Sequence, residues 1–154
     1  MTIKQQTING VLLPVTLIVL FALSPIIRAD DRTAVEPMAL RGIMQAMSRN
    51  MQAITDAIAR EEWTKVAGTA PLIADHPQPP FSEKLRILAF FSGKAGEFKK
   101  YDGATHQTAL ALQQAAIDQD GQAVIAAYAS LQQSCLNCHQ AFRNTFTAHF
   151  YPDS

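Results

Sequence analysis

Leu40, Met44, Met47, Met51, Ile54 and Ile58 step along the chain by 4, 3, 4, 3, 4, and Val124, Tyr128, Leu131, Cys135, Cys138 and Phe142 repeat the same steps. With about 3.6 residues per turn, that spacing puts each set on one face of an α-helix. Two helices of matching length with one apolar face each must bury those faces against other helices. Strands are excluded by the same period and by composition. From residue 30 onward there are 22 Ala and 11 Gln but only three Val, which favours helix formers over β-branched residues.

The rest of the chain supplies the partners. Thr33-x-x-Glu36 has capping-box form and Pro37 suits a first helical position, so the first helix is predicted to start between Thr33 and Pro37. It ends near Arg60. Trp63, Val66, Ala70 and Ile73 make a second helix, short or kinked at Pro71. His76-Pro77-Gln78-Pro79-Pro80 breaks the pattern. A third helix starts near Ser82-Glu83 and runs through Leu112 to Ala116, with interruptions expected at Gly93, Gly96 or Gly103. Asp118-Gln119-Asp120-Gly121 punctuates, and the second stripe forms the fourth helix. The predicted fold class is all-α, an antiparallel four-helix bundle.

The first 29 residues stand apart. Lys4 precedes a run from Val11 to Leu23 that is apolar except for Pro14 and Thr16, and Ser24 to Ala29 leads into Asp30-Asp31. This is the layout of a secretory signal peptide cut after Ala29, so the remainder is expected in the periplasm. An uncut membrane anchor is the alternative, since Val11 to Ile27 spans 17 residues, the short end for a bilayer. Removing residues 1–29 leaves one 125-residue domain, 30–154, with 11 basic and 13 acidic side chains. So mild a charge gives no footing for nucleic-acid binding.

Cys135-Leu136-Asn137-Cys138-His139 is C-x-x-C-H, the signature of c-type haem attachment. Two thiols add to the two haem vinyl groups, and the adjacent imidazole coordinates iron. On a helix Cys135 lies i, i+3 from Cys138 and i, i+4 from His139, so all three can approach one porphyrin face. Other readings of the residues are weaker. A thioredoxin-like pair expects a βαβ context. Three adjacent ligands leave a zinc tetrahedron incomplete. A plain disulfide makes His139 a coincidence.

Cys135-x-x-Cys138-His139-x-x-Phe142-Arg143 near the end of an exported four-helix chain resembles the cytochrome c′ family, the class II c-type cytochromes. The resemblance covers the whole domain and implies one covalent haem c with its iron, no enzymatic activity, and single-electron exchange with redox partner proteins in the periplasm or at the membrane. It implies His139 as the proximal iron ligand, Cys135 and Cys138 as the thioether residues, and Arg143 as a charge tuning the haem environment. Leu40-Arg41-Gly42-Ile43-Met44-Gln45 resembles the distal segment, which implies Met44 above the iron and Arg41 near a propionate. The chain departs from the family pattern by one position around Arg41 and extends further beyond Arg143. Relatives pair through their first two helices, so a homodimer is one assembly the resemblance implies.

Two functions remain open. Met44 bound to iron makes a low-spin electron carrier; Met44 as mere packing leaves an open site for nitric oxide or carbon monoxide. Electron transfer is the favoured reading. His76, His106 and His149 read as surface residues, with His106 facing solvent. Phe90, Phe91, Phe98 and Tyr128 are core or haem-wall aromatics. Lys94, Lys99 and Lys100 form a basic cluster whose simplest role is a solvated face.

Overall fold

The computed structural model describes residues 38–152. The signal segment 1–29 and the capping-box residues Thr33 to Pro37 lie outside that range. The described residues belong to one compact unit. All regular structure among them is helical. None of their helices is long and apolar enough to cross a membrane.

Helix α1 (Ala39–Ala59) carries the first stripe and ends at Arg60, as predicted. Its start is held from outside. Met38 offers no side-chain cap. Instead the carboxylate of Glu83 accepts the amide hydrogens of Ala39 and Leu40, both at 2.8 Å. One acidic side chain thus satisfies two of the amides that every helix start leaves unpaired, and it puts negative charge at the positive end of the dipole. Glu83→Ala is expected to lower unfolding free energy by about 1–2 kcal/mol, with Glu83→Gln intermediate, read from urea midpoints.

The second helix breaks at Pro71 into α2 (Trp63–Thr69) and α3 (Pro71–Ala74). Proline has no amide hydrogen to continue the ladder, so the chain restarts with Pro71 at the first position of the new turn. Helix α4 (Phe81–Phe91) follows the proline-rich breaker, then a 3-10 turn at Ser92–Lys94, then α5 (Ala95–Ile117). The expected interruption is therefore real and takes in Gly93, although the residue with positive φ is its neighbour Ser92, at 34°. Gly96 and Gly103 lie inside α5 without breaking it, because an interior glycine costs only about 1 kcal/mol against the packing of a long helix.

Helix α6 (Gly121–Cys138) starts where predicted; the Asp120 carboxylate accepts the Ala123 amide hydrogen at 3.0 Å. The rod continues through a π-helical turn, His139–Arg143, into α7 (Asn144–Phe150). Helices α5 and α6 form the most extensive pairing, with α2 and α3 laid against α5 and α1 against α2.

The apolar interior divides in two. One cluster gathers Ile54, Val66, Ile73, Leu112, Val124 and Leu131. The other gathers Met38, Ile87, Phe91, Phe142 and Phe150. The second is built of rings: Phe91 and Phe142 have centroids 4.7 Å apart, and Phe146 and Phe150 4.6 Å. The long aromatic tail thus has a structural task, closing this cluster. Tyr151 completes it, its hydroxyl accepting the Met38 amide hydrogen at 3.1 Å.

Candidate functional site

Cys135 and Cys138 stand one turn apart on α6 and are both half-buried free thiols. They fall on opposite sides of the division in the core. Cys135 packs against the first cluster and Cys138 against the aromatic one. The first helix shows the same division. Leu40 packs against the aromatic cluster and Met47 against the other, while Met44 between them is 38% exposed. The stripe read from sequence is therefore continuous in register but discontinuous in burial, and the gap falls on Met44.

Two contacts set the alignment of these helices. Thr55 Oγ1 and Tyr128 hydroxyl lie 2.6 Å apart at one end, and Met38 meets Tyr151 at the other. Helix α1 accordingly runs antiparallel to the α6–α7 rod. A π-turn is rare and concentrates at functional sites, since widening the helix by one residue redirects the side chains that follow. Here it begins at His139.

The electrostatics separate the chemical options. Burial pushes the Cys135 thiol up, and burial with the nearby Asp102 and Cys135 charges pushes Cys138 up to about 11. Both therefore remain neutral thiols at ordinary pH. A catalytic thiol–disulfide pair needs the reverse, an electropositive setting that favours thiolate. His139 is exposed on its outer side, yet desolvation, followed by the Arg143 guanidinium, holds its imidazole below the usual histidine range. That favours the neutral ring, the form with a lone pair for a metal. Among the described residues no group of three or more His, Cys, Asp or Glu side chains converges as an ion-binding set. The C-x-x-C-H residues thus lack the convergence of a zinc site.

Cys135, Cys138, His139 and Arg143 share one rod, and Arg143 is exposed. Arg41 is exposed at the start of α1 and lies over the Tyr151 ring, 5.4 Å from its centre. A groove of about 690 Å³ between α5 and α6, lined by Tyr101, Thr108, Ser130 and Asn137, holds none of these residues.

Of the other histidines, His106 and His149 keep exposed surface and His76 does not. The His106 side chain is 38% exposed, yet its Nδ1 also donates to the Ala74 carbonyl at 2.9 Å, tying α5 to α3. The His76 side chain is only 10% exposed and meets Asp102 at 3.1 Å. Periodicity could not show either, because both partners are distant in sequence. His149 is exposed and stacks on Phe90 with centroids 4.4 Å apart. Phe91 is core, Phe90 and Phe98 pack beside it, and Tyr128 bridges α6 to α1. Lys94, Lys99 and Lys100 are exposed, as a solvated face requires. Compared with known protein families, curated proteins and solved structures, the chain shows no match.

Proposed function

We propose that this chain is an exported monohaem c-type cytochrome resembling the cytochrome c′ family, a four-helix bundle around one haem that carries single electrons between redox partner proteins. The observation that carries the reading is a coincidence of motif and packing. The one C-x-x-C-H in the sequence sits on a helix where the apolar interior divides, with one cysteine against each half. A flat apolar group held by two thioethers is what such a division suits, since it supplies the missing core contacts itself.

Cys135 and Cys138 would hold the haem and His139 would coordinate its iron. Bound there, the iron exchanges one electron between ferrous and ferric states. The protein's part is to hold and tune. The lowered proton affinity of His139 keeps its ring ready to coordinate. Phe91, Phe98 and Phe142 shield the Cys138 side from water, and a dry surrounding reduces the reorganisation that accompanies each electron. Arg143, one turn beyond His139, adds a positive charge that favours the reduced state. Met44 would offer the iron a thioether sulfur, a ligand that raises the reduction potential.

The exposure of Met44 favours one alternative, a gas-binding protein in which the sulfur only lies near an open position. Absorption spectra of the purified, exported chain separate the two. The carrier gives a low-spin spectrum that becomes high-spin in Met44→Ala. A high-spin spectrum in the unaltered protein, shifting on addition of carbon monoxide, contradicts electron carriage through Met44.

A further inference from the structure

His76 lies at the head of the proline-rich breaker, between α3 and α4, with its side chain pressed against α5. Both ring nitrogens are engaged. Nδ1 lies 3.0 Å from the Pro77 carbonyl oxygen and Nε2 lies 3.1 Å from Asp102 Oδ1. Neither partner has a hydrogen to give when Asp102 is ionised. A neutral imidazole has one N–H and can satisfy only one of them; the imidazolium satisfies both. The arrangement is therefore complete only when the pair holds a proton.

The same pair stands beside the haem-attachment helix. Tyr101, adjacent to Asp102, lines one groove with Asn137, adjacent to Cys138. The Tyr101 ring also meets the Phe142 ring with centroids 5.8 Å apart. The Asp102 charge is felt at the Cys138 sulfur. We infer that His76 and Asp102 form a redox-linked proton site, holding a proton more tightly when the haem attached at Cys138 carries an additional electron. The inference rests on the haem reading above. The exchange balances: one electron enters from a redox partner protein, a fraction of a proton per electron enters from solvent at the His76 ring within the titration window, and both leave on oxidation.

The charged groups around the pair agree in sign. Asp102, foremost, and Asp75 favour the imidazolium, and the histidine's affinity for a proton is raised despite its burial. Lys84 and His106 act on Asp102 and help keep it ionised. Cys138, as a thioether in the haem-bearing chain, carries no charge. In stability terms, the contribution of protonated His76 is fully present below the free histidine value of about 6.5 and is lost as pH rises through its raised folded value.

The test is the reduction potential of the full haem-bearing chain as a function of pH. A unit charge acting through partly screened protein changes the proton affinity of His76 by about threefold, or about 28 mV at 59 mV per tenfold for one electron. The potential should fall by that amount as pH rises past His76 titration, with the slope absent in both His76→Gln and Asp102→Asn and retained in His106→Gln. Proton NMR of His76 in the oxidised and reduced chain should show the same threefold difference directly. A haem-bearing chain whose potential is flat in that window, or whose slope survives in His76→Gln, overturns the redox-linked site. A chain that carries no haem overturns the cytochrome reading and this inference together.

Discussion

Replacing Cys135 and Cys138 together with serine is expected to abolish covalent haem completely, while each single replacement leaves one thioether and a haem that is still retained. The reason is geometric as well as chemical. The two thiols lie i, i+3 on α6 and pack against different halves of the core, so each would fix a different edge of the proposed haem. The doubly substituted chain would also lack any core contacts made by the proposed haem and should unfold at lower urea concentration than the unaltered chain. Retention of haem by the denatured double variant would show attachment elsewhere.

Leu131→Ala carries the largest expected cost to folding alone. Leu131 is fully buried in the cluster that joins α1, α2, α3, α5 and α6, on the same stripe as Cys135. Truncating such a leucine removes its transfer free energy and leaves a cavity, at about 2–5 kcal/mol. For a domain of this size that is a fall of roughly 10 °C or more in melting temperature. Ile125→Ala is the control: it lies on the same helix, is 51% exposed, and should shift melting by no more than a degree or two, roughly ±0.5 kcal/mol. Equal losses in the two variants would mean that α6 does not bury the face on which Leu131 and Cys135 lie.

What could be read in the sequence was whatever repeats at helical spacing. The stripes located α1 and α6, Pro71 marked the break in the second helix, and Asp120 opened the fourth. Features made by distant partners were not legible. Glu83 caps α1 from another helix, 44 and 43 positions along the chain from the two amides it accepts. His106 reaches the Ala74 carbonyl and His76 reaches Asp102 only once α3 lies on α5. The interruption after Phe91 takes in Gly93, one of the three glycines at which it was expected. The positive φ there belongs to Ser92, and Glu61 and Gln119 adopt it beyond the ends of α1 and α5, which helical spacing does not reveal.

The candidate site was legible in part, for the same reason. C-x-x-C-H is local, so Cys135, Cys138 and His139 could be named from their spacing. The π-turn beginning at His139 could not, because a single extra residue in the turn leaves the apolar periodicity almost unchanged and the flanking backbone in the ordinary helical region. Met44 is the intermediate case. Spacing put it on the buried stripe with Leu40 and Met47, yet it alone of the three is exposed, since the two clusters they join leave it between them.

The most direct measurement is the mass of the purified, exported chain after full denaturation and removal of unbound small molecules. The result expected is the mass of the polypeptide plus one haem, with the increment lost in the Cys135→Ser, Cys138→Ser double variant. A denatured chain with the mass of the bare polypeptide and no haem absorption would contradict the assignment of Cys135 and Cys138 as attachment residues, and with it the function proposed for the protein.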